Sequence, residues 1–191
     1  MNGSTYSFEL SRKAVHLFAL AVPLCAWYSL FSAQAVLLFF IIFYSFSEWR
    51  KVTGKTFFAH PLVAKIQRDE ELRRYAKAPL FLAIGVLLAI SFFSWEASLV
   101  GIYQAGFCDT LAAMVGKKFG RTKLPFFSRK TYAGSLAFLV SALPVSFIFL
   151  PPSKAIIISV VGAFLESLPF KDWDNLTVPL VVAFLAEQFL F

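Results

Sequence analysis

Long apolar runs alternate with short charged blocks along this chain. Seven apolar segments stand out, near 14–31, 33–49, 78–94, 97–116, 132–150, 154–170 and 175–191. A helix needs roughly 20 mostly apolar residues to cross a bilayer, and most of these runs approach that length. The pattern predicts an all-α, polytopic membrane protein of about seven transmembrane helices, with residues 1–191 forming a single integral-membrane domain. Pro23, Pro144 and Pro179 fall within or near spans, where neighbouring helices can satisfy the freed carbonyls. The last segment is short and also fits a re-entrant helix. Ala33-Gln34-Ala35 imitates a signal-peptidase site. The 22-residue run from Ala14 to Ala35 exceeds the roughly 7–15 residues of a signal peptide's apolar core, so the first segment is expected to stay.

Composition agrees with the pattern. The chain of 191 residues is 59% hydrophobic, with 24 Phe and only 15% charged residues, against about 25% charge in an ordinary soluble domain. Lysine and arginine sort sharply between the loops. The N-terminal segment and the second, fourth and sixth loops hold 17 of them, and the opposite loops hold Lys154 alone. Positive charge marks the cytoplasmic side, so the N-terminus and the even-numbered loops are expected there, with the C-terminus outside. This bias accounts for the net charge of +7 without a nucleic-acid partner. Cys25 and Cys108 both lie in apolar runs, which fits buried thiols rather than a disulfide framework or metal site. In the second loop, residues 61–75 can form an amphipathic helix on anionic headgroups or a solvated connector. No internal repeat is visible.

Acids inside apolar runs change the picture from anchor to chemistry. A charge at the centre of a spanning helix costs roughly 2.5–3.5 kcal/mol on insertion scales, so such residues usually face a cavity or a partner. Glu48 and Glu187 lie near span ends and read as reaching the interface. Asp109 and Glu166 lie deeper, in the cytoplasmic halves of their spans. Around Asp109, Ala105, Gly106, Ala112, Ala113 and Gly116 share one helical face by their spacing of three, four or seven. A face of small residues admits either a closely packed helix or a ligand.

The stretch that follows, 116–135, carries Lys117, Lys118, Arg121, Lys123, Arg129 and Lys130 between Gly116 and Gly120 on one side and Thr131, Gly134 and Ser135 on the other. Thr131, Gly134 and Ser135 open the fifth span. A helix N-terminus offers free N–H groups and a positive dipole end to phosphate, and the lysines and arginines suit a triphosphate. An ordinary positive-inside loop would explain the charge but not this series of features. At the N-terminus, Glu9, Arg12 (or Lys13) and His16 share a polar stripe entering the first span. Near the end, Glu166, Asp172, Asp174 and Asn175 place four oxygen ligands within ten residues, a set that suits Mg²⁺ shared with substrate phosphates. Gly54-Lys55-Thr56 lacks the first glycine of a Walker loop, Trp49 standing in its place. There is no His/Cys cluster for zinc.

These four blocks together resemble the CTP-dependent lipid-alcohol kinases: dolichol kinase, phytol or farnesol kinase, and CTP-dependent diacylglycerol kinase. The resemblance rests on Glu9-x-x-Arg12-Lys13-x-x-His16, on Asp109 followed by Gly116-x-x-Phe119-Gly120, on Lys130-Thr131-x-x-Gly134-Ser135, and on Glu166 followed by Asp174-Asn175 and Pro179. It covers nearly the whole chain in the expected order. It implies an enzyme that phosphorylates a membrane lipid alcohol at the cytoplasmic boundary, with CTP as donor and Mg²⁺ as cofactor. On that reading Lys117, Lys118, Arg129 and Lys130 hold the nucleotide phosphates, with Arg12, Lys13, Gly116, Gly120, Thr131, Gly134 and Ser135 around them. Asp109, Asp174 and Asn175 hold the metal or orient the hydroxyl. Asp109, Glu166, Lys130 and His16 form the catalytic set, in which Asp109 and Glu166 both remain candidates for the general base. The family is similar to phosphatidate cytidylyltransferases, and that activity is the nearest rival. A small anion transporter and a non-catalytic membrane scaffold are the others.

Overall fold

The computed structural model describes Lys13 and residues 16–55, 74–125, 127–169 and 172–190, without the side chains of 127–129. Seven helices are present among the described residues: α1 (Ala21–Tyr28), α2 (Leu30–Val52), α3 (Ala78–Phe92), α4 (Trp95–Phe119), α5 (Tyr132–Phe149), α6 (Pro152–Ser167) and α7 (Asp174–Leu190). They match the seven apolar runs in order and, to within a few residues, in extent. Three of them, α2, α4 and α5, are long and apolar enough to cross a membrane. The stretch 61–75 falls almost wholly outside the described residues.

Local chemistry sets the helix starts. Ser29, Ser94 and Thr131 occupy N-cap positions, and their hydroxyls accept the backbone N–H of Ser32, Ala97 and Gly134. Each satisfies one of the donors that a helix leaves free at its first turn. Prolines open α3 and α6, where a missing N–H costs nothing.

The helices pack as a bundle in which α7 lies against α4, α3 and α6, and α5 lies between α4 and α6. The interior is built from small and branched side chains, including Ala97, Val100, Ile102, Phe138, Ala142, Ile158, Val182 and Ala183. Gly85 and Gly101 let α7 approach at its proline. A Cβ on Gly85 would lie 2.8 Å from the Pro179 ring. The outside inverts the soluble pattern. Phe18, Trp27, Phe31, Phe39, Ile148 and Phe164 are all more than half exposed, a surface that suits contact with lipid rather than water.

Two features depart from the sequence reading. The basic stretch between α4 and α5 contains a small antiparallel hairpin, β1 (Lys123–Leu124) with β2 (Phe127–Thr131), pairing Lys123 with Thr131 and Leu124 with Phe127. In addition, α4 is broken by a π-helical turn over Gln104–Cys108, directly before Asp109. Such turns insert an extra residue into the helix and occur often at functional sites.

The two acids near the span ends have specific partners. Glu48 is fully buried and accepts the Ala76 N–H at 2.8 Å and Lys51 Nζ at 2.6 Å. Tyr44 donates to the Ala76 carbonyl beside it, so α2 grips the chain where it returns into α3. Glu187 accepts from both the N–H and the hydroxyl of Ser94, at 2.9 and 2.6 Å, and so ties α7 to the start of α4. For Glu48 its donors offset the cost of burial.

Candidate active site

Four segments meet where α5 and α7 begin and α6 ends. From the N-terminal segment comes Lys13, whose ammonium is ion-paired with Asp109 Oδ2. His16 Nδ1 lies 3.3 Å from the same oxygen and 3.4 Å from the Ala105 carbonyl. Lys13, His16 and Asp109 are all buried. A carboxylate at this depth needs a partner of opposite charge, and Lys13 supplies it.

The second cluster centres on Lys130, the penultimate residue of β2. Its ammonium is paired with Glu166 Oε1, at the end of α6, and lies 3.4 Å from Asp174 Oδ2, at the start of α7. Asp174 Oδ1 also accepts the Asn175 N–H at 3.0 Å. The hairpin explains how Lys130 arrives there: it fixes the last strand residues against the N-cap of α5, between the ends of α6 and α7. Burial alone would lower the Lys130 pKa. The charge of Glu166, then of Asp109 and Asp174, outweighs it and raises the pKa above the ordinary lysine value. Asp109 is thus within electrostatic reach of Lys130, and Asp174 of Lys13. The two clusters form one centre.

One atom in this centre stands apart. Glu166 Oε2 is buried and has no hydrogen-bond partner among the described residues. A buried carboxylate oxygen left unpaired costs about 1–3 kcal/mol or more, so it is poised to accept a proton or a cation.

The small face around Asp109 is used for packing on two sides. A Cβ on Gly106 would lie 2.8 Å from the His16 carbonyl, which brings the N-terminal segment against Asp109. Around Gly116 the start of α5 docks: a Cβ there would meet Thr131 Oγ1 at 3.0 Å, and one on Gly134 would meet the Ala112 carbonyl at 2.9 Å. Gly116 therefore lies inside α4, and Gly120 ends that helix. Together Gly116, Gly120, Thr131 and Gly134 form the joint that carries Lys130. Lys117 and Lys118 are exposed on the last turn of α4. Ser135 is half-buried on the first turn of α5, and its Oγ is buried without a partner among the described residues. Glu9, Arg12 and the Arg129 side chain lie outside the described residues.

A further polar group was not singled out from the sequence. Gln104, fully buried in the π-turn, donates toward Ser146 Oγ at 3.4 Å, and Ser159 Oγ lies 3.3 Å from the same atom. These three sit in apolar runs on α4, α5 and α6. They carry no charge, and only an uncharged amide inside a span could have pointed to them.

The residues present suit a magnesium ion. Among the described residues no three His, Cys, Asp or Glu side chains form a ready-made metal cage. Magnesium ordinarily takes only one or two protein carboxylates, with phosphate and water oxygens completing its shell. Asp174, with its side chain 20% exposed, is placed for that role, and the unpaired Glu166 oxygen adds an acceptor nearby.

Fold and site together define a helical bundle with spans of membrane-crossing length and a buried lysine–carboxylate centre. Comparison with known proteins gives that class a family. Over 195 residues the chain is 28% identical to phytol kinase 1, chloroplastic, of Arabidopsis thaliana, covering 90% of this chain and 64% of that relative. Over 199 residues it is 31% identical to the phytol kinase of Synechocystis sp., covering 93% of this chain and 78% of the relative. The farnesol kinase, chloroplastic, of Arabidopsis thaliana is 31% identical over 148 residues, 68% of this chain and 48% of that relative. The chain belongs to the phytol and farnesol kinase family. No family model matches it, and no solved structure does.

Proposed function

We propose that this protein is a CTP-dependent kinase of a prenol-type lipid alcohol, working at the cytoplasmic boundary of a membrane that its helices span. The observation that carries the reading is the convergence of two lysines and three carboxylates from four segments on one buried centre, in a chain related to phytol and farnesol kinases. Phosphoryl transfer requires mainly positioning and charge neutralisation, and this centre supplies both.

In the reaction a bond forms between the alcohol oxygen and the terminal phosphorus of the donor. The bridging bond breaks, and a nucleoside diphosphate leaves. Glu166 Oε2 is the acceptor for the hydroxyl proton, because it is buried and unpartnered. Lys130 holds the transferring phosphate and can release Glu166 and Asp174 to do so. Asp174 and Asn175, with Asp109, would hold Mg²⁺. Magnesium there would neutralise charge on the phosphate oxygens. Lys13 and His16 keep Asp109 ionised and oriented. Lys117 and Lys118 supply an outer positive rim that draws in the nucleotide; Arg12 and the Arg129 side chain lie outside the described residues and are assigned to the nucleotide from the sequence alone. The density of basic residues in the even-numbered loops supports a cytoplasmic position for this rim.

The test is to incubate purified protein with Mg²⁺, labelled CTP or ATP, and a panel of prenols together with diacylglycerol. A lipid phosphate and CDP are expected with CTP. Pyrophosphate with a CDP-lipid would mean a cytidylyltransferase instead, and no phosphorylated lipid with either nucleotide would end the kinase reading.

A further inference from the structure

A groove of about 360 Å³ runs between α5 and α6, within the roughly 300–1,000 Å³ typical of small-ligand sites. Leu136, Leu139, Val160, Ala163 and Phe164 line it. Leu136, Val160 and Phe164 are about half exposed or more, so the groove opens sideways onto the apolar outside of the bundle, and among the described residues no helix covers it. The lining is not uniformly apolar. Ser135 and Ser167 also contribute, and both belong to the site end of their helices. Ser135 follows Lys130 by five residues, and Ser167 follows Glu166 directly. Ser167 Oγ is committed to the Phe164 carbonyl at 2.7 Å. Ser135 Oγ is buried with no partner among the described residues.

We infer that this groove binds the isoprenoid chain of the alcohol acceptor, which enters between α5 and α6 from the lipid and places its hydroxyl beside Ser135 at the Lys130–Glu166 pair. The inference deepens the kinase reading above and rests on it. Three observations select this occupant. The walls are aliphatic and aromatic, which suits a hydrocarbon and gives no purchase to a nucleotide. The opening faces the apolar surface, from which a membrane-dissolved alcohol must come. At the site end of the groove Ser135 offers a hydroxyl that is buried without a partner among the described residues, and Ser167, which also lines it, adjoins Glu166 in the chain. A buried polar atom without a partner is rare in a settled interior, and Ser135 Oγ, on a residue lining an apolar groove, fits the head of an amphipathic ligand.

The experiment combines mapping with kinetics. A farnesol analogue carrying a diazirine at the far end of its chain is photolysed with the whole protein in nanodiscs, and the adducts are located by mass spectrometry. Adducts on α5 and α6 lining residues, competed away by unlabelled geranylgeraniol, are expected. Saturable adducts confined to other helices, or an absence of saturable adducts, would overturn the assignment. In parallel, Ala163→Phe and Leu139→Phe fill the groove. Each is expected to lower kcat/KM for geranylgeraniol by about tenfold or more, an overpacking effect, and to spare geraniol, whose shorter chain needs less of the groove. An equal loss for both alcohols in variants that keep the wild-type Tm would count against the groove and leave the kinase reading intact. Groove adducts in a protein that phosphorylates no alcohol would leave the isoprenoid site standing and remove the kinase reading.

Discussion

Replacing Asp109 by Asn removes the carboxylate that balances Lys13, whose side chain is 4% exposed. Breaking a buried pair from one side leaves a bare charge and costs about 3–5 kcal/mol. The Asp109 carbonyl, 3.4 Å from Lys13 Nζ, survives the change and holds the cost to the lower part of that range. In a chain of this size each kcal/mol shifts Tm by about 2–4 °C, so Asp109→Asn is expected to lose about 6–12 °C. Lys13→Met bares the other partner. Its cost is smaller, because His16 lies 3.3 Å from the same carboxylate oxygen. The double variant removes both charges and is expected to return to within about 1 kcal/mol of wild type, since neutral replacements of a buried pair are often tolerated. Thermal unfolding in one fixed detergent reads the cycle, and simple additivity of the two single changes would refute the pairing. Turnover is then measured on the double variant, where stability no longer confounds it. A loss of at least about 100-fold is expected, the size seen when one group aimed at a reacting centre is removed. Turnover within about tenfold of wild type would show that Asp109 only balances Lys13, and the assignment of Asp109 to the chemistry would fall.

Gly134→Ala pushes a methyl to 2.9 Å from the Ala112 carbonyl; a cost of about 1–3 kcal/mol should appear as a lower Tm, and an unchanged Tm would contradict the tight α4–α5 joint. Glu48→Leu removes the acceptor of the Lys51 ammonium and of the Ala76 N–H; a loss of about 1–3 kcal/mol or more is expected, with kcat per folded molecule unchanged, and a selective fall in kcat would give Glu48 a part in the chemistry. Lys130 has a raised pKa, so its pairing contributes stability that is complete below the unfolded lysine value of about 10.4 and is lost only as pH rises through the higher folded value. Lys130→Arg should therefore leave any alkaline limb of the pH–rate profile below about pH 10 where it was, and a displaced limb would assign that limb to Lys130.

The sequence predicted the helices well because the bilayer constrains both length and polarity. Seven apolar runs became seven helices, and Thr131 with Gly134 could be seen opening α5 from their residue types alone. Asp109 and Glu166 were legible for the same reason, since charge at depth is costly and stands out. The pairing was not legible. Lys13 is separated from Asp109 by 96 residues, and nothing in their local spacing links them. The hairpin was missed because two residues of β1 facing five of β2 are too short to establish an alternating pattern. The partners of Glu48 and Glu187 were not legible, because position within an apolar run does not reveal whether backbone donors, here Ala76 and Ser94, wait nearby. Gln104, Ser146 and Ser159 left almost no trace, because neutral polar residues inside a span carry no charge signal.

The charges at the centre constrain how a nucleotide can bind there. Lys13 and Lys130 bring two positive charges, and Asp109, Glu166 and Asp174 bring three negative ones. Leaving His16 aside, the buried centre is formally negative by one, so it repels a bare triphosphate. The attraction must begin outside it, at Lys117 and Lys118, which are exposed on the last turn of α4. Further in, each lysine already has a carboxylate partner. Lys130 can take a phosphate only by giving up Glu166 or Asp174, and a released carboxylate next to phosphate oxygens would be a like-charge contact. On the kinase reading, the carboxylate that Lys130 gives up would hold a divalent cation, which would supply the charge neutralisation that contact needs. Lys130 would keep an anionic partner throughout, which avoids the several kcal/mol of leaving a buried ion bare. On the kinase reading, the surplus carboxylate therefore favours the metal-bound donor over the free nucleotide, and the same release leaves Glu166 available for the hydroxyl proton.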